Sequence, residues 1–475
     1  MKGYAPNQYA DVNLFFQKRH GFLRNRCVGI NMKHIFFIGI GGISMSALAK
    51  LMLNKNIKVS GSDRNNSELL QRLQNDGAKI YIGHKAENID ETVDLVVYTS
   101  AISDDNAEFL RAKELGIEIQ KRAEFIGNIM KEYKHSIAVS GTHGKTTTTG
   151  MLSSILVSSS LDPTIFLGGE LNVINGNVKI GNGDLLLTEA CEYKRNFLNF
   201  NPSISVILNI AEDHLDYYKD INDINSAFVE FANKLPNDGL LVVNNLDKEL
   251  FKGINSELVS FGLDNSADIF ASDIEYLPQP KFVVNYGDIN FEVELSVFGE
   301  HNVLNALSVI AVSIKLGIDI ETIKRGLKQF IGTKRRFEFR GKIDDISIID
   351  DYAHHPDEIK TSLLTARKNT NGKVITIFQP HTYTRTKSLF EEFAKVFELS
   401  DEIIFVDIYA AREIDNGEVS SEKLAEETKK YNKKAIYAKS FEEAASLALE
   451  KADAKDTIIV MGAGDVNEIV KILLG

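Results

Sequence analysis

The chain has 475 residues, of which 44% are hydrophobic and 25% charged, an ordinary globular balance that excludes a disordered, collagen-like or disulfide-stapled chain. Length alone suggests about three domains at roughly 150 residues each, and no run approaches the ~20 apolar residues of a membrane-spanning helix. Asp plus Glu total 66 against 54 for Lys plus Arg, a net charge of −12, so diffuse binding to nucleic acid or a membrane surface is disfavoured and any phosphate must be held by local donors.

In chain order, residues 1–31 stand apart. They are basic between Gln17 and Arg26 and lack the apolar stretch of a secretory signal. They read as an N-terminal arm, or as a mis-assigned start with Met32 as the initiator. Residues 32–122 then alternate strand and helix. Strand Ile35–Ile38 leads through Gly39-Ile-Gly-Gly42 into a helical run from Ser44 to Leu53, and a second strand ends at Asp63. Apolar segments follow at Lys79–Ile82 and Leu95–Thr99. Strand, glycine-rich turn, helix, and a strand ending in an acid about 20 residues on is the pattern of a dinucleotide-type fold.

A second α/β block covers 123–333. Strand Ser136–Ser140 opens it, apolar segments recur at Asp184–Leu187, Ile204–Ile210 and Leu240–Val243, and Phe270–Leu295 alternates like a small antiparallel sheet. Helices near Asn302–Leu316 and Ile320–Phe330 close the block. The third, 334–475, has strands at Ser347–Asp350, Val374–Phe378, Glu402–Val406, Ala435–Tyr437 and Thr457–Met461 with helices between. That alternation predicts a mostly parallel sheet. Cys27 and Cys191 are the two cysteines, too few and too far apart for a disulfide framework, which fits a reducing cytoplasm.

The strongest chemical signal is Gly141-Thr142-His143-Gly144-Lys145-Thr146-Thr147 between a buried strand and a helix. Glycines let backbone N–H groups turn toward phosphate oxygens, and the helix start adds positive potential. Lys145 supplies a mobile cation for the β/γ-phosphates of ATP, and Thr146 stands where a hydroxyl ligates Mg²⁺. The loop is shortened, since Val139 occupies the place of the first glycine of the full pattern. Gly39, Gly41 and Gly42 form a weaker match with Ser44 in place of a third glycine; it reads as a diphosphate loop or as a plain strand–helix turn. Ser62 and Asp63 end the next strand, where an acid can meet ribose or base.

Glu189 and His214 follow strands and project from their C-terminal ends, where α/β proteins bind ligands. With Thr146 they make an expected metal site: Glu189 and Thr146 offer the oxygens Mg²⁺ prefers, and His214 suits a second cation or acts through water. In the third block, Asp350–Pro356, Pro380–Thr386 and Met461–Asp465 are polar turns between strand and helix. Each could be a simple helix cap, but three at one sheet edge suggest a binding surface. Lys334-Arg335-Arg336 lies at the junction, either a solvated turn or a phosphate contact.

Gly39-Ile-Gly-Gly-Ile-Ser-Met45, Ser140–Thr149, Phe298-Gly-Glu-His-Asn-Val-Leu-Asn305, Lys334–Phe337, Asp351–Pro356, His381–Thr386 and Gly462–Asp465 resemble, in order, the motifs of the Mur ligase family of peptidoglycan enzymes. The resemblance covers Lys33 to Gly475. It implies three domains: a Rossmann-like N-terminal UDP-sugar domain (32–122), a P-loop-type central ATPase domain (123–333) and a Rossmann-like C-terminal ligase domain (334–475). It implies a cytoplasmic monomer or weak homodimer that uses ATP and Mg²⁺ to join L-alanine to UDP-N-acetylmuramate through an acyl phosphate. By the same resemblance, His301, Asn302 and Asn305 serve the adenine side, Arg336 meets ATP phosphate, and Ser100 and His143 join the UDP-sugar site. His355, His381 and Arg385 would face the amino acid, and Lys145, Glu189, His214, His355 and Arg385 would carry catalysis. A family member that attaches a tripeptide to the same sugar usually has Cys at the position of Gly41, which favours the alanine-adding branch. Departures from the family pattern are Cys191, Tyr193 and Lys194 after Glu189, Thr382 for Arg, Arg412 for Gly and Ala107 for Pro; the roles of Cys191, Lys194 and Arg195 are open at this stage.

Overall fold

The computed structural model describes residues 32–99, 102–215, 217–276, 279–411, 413–415 and 417–475. The readings on 1–31, Ser100 and Arg412 lie outside the described residues. Two compact units form. Among the described residues, one holds 32–274 with Lys281–Ser296 and His301–Ile331; the other holds Glu275–Pro280, Val297–Glu300 and Gly332–Gly475.

The first unit contains two sheets. Strands β1 (His34–Ile38), β2 (Lys58–Asp63), β3 (Lys79–Ile82), β4 (Leu95–Tyr98) and β5 (Glu118–Lys121) make a parallel sheet in the order β3-β2-β1-β4-β5. This is a Rossmann-like arrangement, with β1 buried along its length, as expected for a strand covered on both faces. The second sheet is built from β6 (His135–Ser140), β7 (Thr164–Leu171), β8 (Gly176–Lys179), β9 (Leu185–Glu189), β10 (Ile204–Ile207), β11 (Leu240–Asn244), β12 (Glu257–Gly262), β13 (Ile269–Glu275), β14 (Lys281–Tyr286) and β15 (Ile289–Glu294). Their order is β15-β14-β13-β12-β11-β10-β6-β9-β7-β8. The antiparallel pairing expected over Phe270–Leu295 is present at β14–β15, within the ten-stranded sheet. There β13 pairs with β12 in parallel and lies next to β14, so the three strands extend the large sheet. Alternating polarity reports one solvated face, and it does not report which strand lies alongside.

The helix Arg122–Met130 fastens the two sheets together. Phe125 meets Phe37 of β1 edge-on at 6.1 Å, and both are buried, each such side chain contributing about 1.5–3 kcal/mol. On the other side, Gly127 approaches Asn199 so closely that a Cβ would stand 1.9 Å from its carbonyl oxygen.

The helix α1 (Ile43–Asn54) follows the first glycine loop, and α2 (Lys145–Ser158) follows the second. The run Thr146–Thr149 has low helix propensity, so α2 depends on burial; Thr148 to Leu156 are all buried. It packs against α3 (Ile320–Gln329), where a Cβ on Gly326 would lie 2.5 Å from Ile155 Cα. Gly326→Ala is therefore expected to cost about 1–3 kcal/mol, seen as a lower urea midpoint at unchanged m-value.

The second unit holds β16 (Glu338–Ile343), β17 (Ile346–Asp351), β18 (Val374–Phe378), β19 (Glu402–Phe405), β20 (Ala435–Tyr437) and β21 (Thr457–Met461). Their order is β16-β17-β21-β18-β19-β20, parallel except for the β16–β17 pair. The loops after β17, β21 and β18 thus leave neighbouring strands at one edge.

Candidate active site

The loop after β6 is held open by its neighbours. Gly144 has φ +86° and caps α2, and Gly141 has φ +138°. Thr142 N donates to Asn209 O at 3.0 Å, His143 N to Asn209 Oδ1 at 2.9 Å, and Ala211 N to Thr142 Oγ1 at 2.9 Å. The loop after β10 therefore braces the phosphate-type loop from one side. From another side, a Cβ on Gly144 would lie 3.1 Å from Asn305 Oδ1, and Asn305 Nδ2 donates to Asn302 Oδ1 at 3.1 Å. Asn302 and Asn305 are buried beside the loop, whereas His301 is exposed.

Lys145 Nζ donates to Gly141 O at 2.5 Å, to Thr142 O at 3.0 Å and to Glu192 Oε2 at 2.9 Å. Burial alone would lower its pKa, but the Glu192 charge, helped by Cys191 and Glu189, outweighs burial and raises it. Glu192 is the partner that motif reading missed; its side chain is 3% exposed. Thr146 Oγ1 donates to Glu189 Oε2 at 2.9 Å, and Gly168 N to Glu189 Oε1 at 2.6 Å. His214, at φ +54°, groups instead with Glu192 and Asp213, with one ligand atom from each lying within 4.8 Å of the others. Thr146 and Glu189 thus form one oxygen pair, and His214 belongs to an adjoining mixed nitrogen–oxygen set.

Arg195 pairs with Asp223 at 2.7 Å and Glu230 at 3.2 Å, a structural tie for one of the departing residues. Cys191 is a free thiol whose pKa burial raises, with the Glu192 charge adding to the effect.

In the first glycine loop, Gly39 N and Ile40 N donate to Ser62 O at 2.8 and 3.0 Å, and Gly41 N donates to Asp63 Oδ2 at 2.9 Å. A Cβ on Gly41 would stand 2.7 Å from that Oδ2, so any side chain here must displace Asp63. Gly42 precedes α1 without a side-chain cap. Ser62 is fully buried; its hydroxyl donates to Glu108 Oε2 at 2.6 Å, where His84 Nδ1 also lies at 2.9 Å. Ser62 therefore supports the loop from beneath. Glu108 and His84 carried no sequence signal of this.

In the second unit, Arg335 ties the junction to the turn after β21. Its Nη2 donates to Gly462 O at 2.6 Å and its Nη1 to Gly464 O at 3.0 Å, while Nε lies 3.4 Å from the buried Asp350. Arg336 lies 5.1 Å from the Tyr352 ring and 3.9 Å from Glu358. His381 stacks on Tyr409, meets His354 at 5.7 Å between ring centres, and places Nδ1 3.4 Å from Arg385 Nη1. His355 is the cap of the helix Pro356–Asn369 and accepts from Asp357 N at 3.4 Å. The structure thus brings His381 and Arg385 together with His354, which sequence reading passed over for its neighbour His355.

Burial, with the His354 and Arg385 charges, lowers the His381 pKa from 6.5 to about 4. Burial raises Asp351 to about 6, against the Ser362 hydroxyl and Arg336. The signs are opposite. An unfolded histidine takes a proton near 6.5, so the His381 contribution to stability is lost as pH falls from about 6.5 toward 4. Folded Asp351 holds its proton up to about 6, so its contribution weakens as pH rises from about 4 to 6. A nitrogen-detected NMR titration is expected to find His381 neutral down to about pH 4; a midpoint above 6 would contradict the environment described.

Three family models match the chain in order. They are described as Mur ligase family, catalytic domain (34–134), Mur ligase middle domain (139–313) and Mur ligase, glutamate ligase domain (335–464). A UDP-N-acetylmuramate–L-alanine ligase of Clostridium tetani is 50% identical over 441 residues, covering 92% of this chain and 96% of that protein. Its counterpart in Clostridium novyi is 48% identical over 449 residues, covering 94% and 98%. Among solved structures, UDP-N-acetylmuramate-alanine ligase of Thermotoga maritima superposes with a TM-score of 0.79 at 32% identity, covering 93% of this chain and 98% of that one. A murein peptide ligase of Psychrobacter arcticus gives 0.69 at 26% identity, with the same coverage. With all three models matched in sequence order and relatives near half identical along almost their whole length, this chain belongs to the Mur ligase family.

Proposed function

We propose that this protein joins L-alanine to the lactyl carboxylate of UDP-N-acetylmuramate, splitting ATP to ADP and phosphate, in peptidoglycan precursor synthesis in the cytoplasm. The observation that carries this reading is that two glycine phosphate loops, one after β1 and one after β6, belong to one compact unit. The chemistry needs a nucleotide-sugar carboxylate and a triphosphate in the same place.

In this reading residues 32–122 hold the UDP-sugar through Gly39, Gly41, Gly42 and Asp63. Residues 123–333 hold ATP through Gly141 to Thr147, with Asn302, Asn305 and His301 on the adenine side; by the family resemblance Arg336 meets ATP phosphate. A substrate carboxylate oxygen attacks the γ-phosphorus, and the bond to the β–γ bridging oxygen breaks, releasing ADP. Lys145 offsets the negative charge that gathers there. The amine of L-alanine attacks the acyl carbon; the tetrahedral intermediate collapses with loss of phosphate and of the amine proton. Arg385 holds the alanine carboxylate. His381, neutral above about pH 4, supports Arg385 without competing for the anion, and His355 caps the start of the helix Pro356–Asn369.

The donor set at Thr146 and Glu189 is all oxygen, which fits Mg²⁺, and the adjoining His214 set suits a second cation. Bound there, Mg²⁺ would neutralise phosphate charge. The peptide-adding relatives usually carry Cys at the Gly41 position, where a side chain here would have to displace the Asp63 carboxylate.

An ADP-release assay with UDP-N-acetylmuramate and a panel of L-alanine, glycine, L-serine and tripeptide tests the reading. L-alanine is expected to give the highest kcat/KM. No amine-dependent turnover with L-alanine, or preference for the tripeptide, would overturn it.

A further inference from the structure

Arg122 opens the helix that fastens the two sheets of the first unit, so the Phe125–Phe37 and Gly127–Asn199 contacts fix its position. Its Nη1 donates to Ser44 Oγ at 2.8 Å, in the first turn of α1 beside the Gly39–Gly42 loop. The same guanidinium lies within electrostatic reach of Cys191 and Glu189, which oppose the lowering of its pKa by burial. Asn177 Nδ2, reaching from β8, donates to Ile43 O at 2.8 Å and pins the same turn.

A cation here stands next to a helix start that is itself positive. No acid in the first turn of α1 balances it, and no side chain caps Gly42. Asp63, the acid on the loop, already accepts Gly41 N through Oδ2 and Arg64 N through Oδ1. Like charges held side by side are unfavourable until an anion lies between them. A guanidinium also has several more N–H groups to offer in a planar fork that matches paired phosphate oxygens.

We propose that Arg122 binds the diphosphate of the nucleotide sugar held on the Gly39–Gly42 loop. The assignment rests on the UDP-sugar reading of that loop given above. Arg122 then joins the sugar loop to the neighbourhood of Glu189, so the anionic part of one substrate is set from the same helix that docks the two sheets.

Calorimetric binding of UDP, UDP-N-acetylglucosamine, UDP-N-acetylmuramate and ADP to wild type, Arg122→Lys and Arg122→Met tests this. Arg122→Met is expected to weaken all three uridine nucleotides on the order of 10- to 100-fold, as for loss of hydrogen bonds to a charged group. Arg122→Lys should recover part of that loss. ADP affinity should not change, and the unliganded thermal midpoint should hold or rise as the like-charge contact is relieved. Unchanged UDP affinity would overturn the proposal. So would a loss confined to UDP-N-acetylmuramate, which would move the contact to the lactyl carboxylate, or an equal loss of ADP binding. Wild type that binds the uridine nucleotides but does not turn over with L-alanine would sink the ligase reading and leave the Arg122 assignment standing; wild type that binds none of them would sink both.

Discussion

Lys145→Met is expected to lower kcat by a factor on the order of 10²–10³ or more, the range seen when one donor to developing charge is removed. The same change should also destabilise the protein, for a separate reason. Lys145 Nζ contacts Glu192 Oε2 at 2.9 Å, and the Glu192 side chain is only 3% exposed. Removing the ammonium leaves a buried carboxylate uncompensated, a loss of about 3–5 kcal/mol. The two effects separate in the double variant Lys145→Met/Glu192→Gln. Its chemical-denaturation midpoint should recover most of the loss while kcat stays low. Recovery of activity along with stability would mean that Lys145 acts only as a counter-ion to Glu192.

Glu189→Gln is expected to have the next largest effect. Glu189 Oε2 accepts from Thr146 Oγ1 and Oε1 from Gly168 N. An amide can keep one of these bonds, but it removes the negative charge and one acceptor from the oxygen pair. Affinity for Mn²⁺ as a stand-in for Mg²⁺, followed by electron paramagnetic resonance in the presence of ADP, should fall at least about tenfold, since a divalent cation prefers a carboxylate oxygen. A Glu189→Gln protein that binds Mn²⁺ as wild type does would remove Glu189 from the metal site.

The element order could be read where period and punctuation agree. The strand, Gly141–Lys145 turn and helix stand as the motif implied, because glycine, lysine and a buried strand each have a local reason to be there. Strands β5, β7, β8, β12 and β16 escape the sequence reading: β5, β8 and β16 lie at sheet edges, where a sequence such as Glu118-Ile-Gln-Lys121 has no run of apolar residues to announce it, while the interior strands β7 and β12 have their apolar runs broken by Gly168-Gly169 and by Ser260. The choice between His354 and His355 turned on a signal that was present. Pro356 favours the first helical position, which makes His355 the cap and leaves His354 to meet His381. Glu192, Glu108 and Arg122 could not be read in advance. Their partners Lys145, Ser62 and Ser44 come from distant parts of the chain, and only packing brings them within hydrogen-bond reach.

The central claim is amide formation through an acyl phosphate on the sugar carboxylate, and isotope transfer tests it most directly. UDP-N-acetylmuramate labelled with ¹⁸O in the lactyl carboxylate is incubated with ATP and L-alanine, and the released phosphate is examined by mass spectrometry. The account predicts that a carboxylate oxygen is carried into phosphate for each amide formed, with ADP as the other product. Phosphate free of label, or release of AMP and diphosphate, would contradict it.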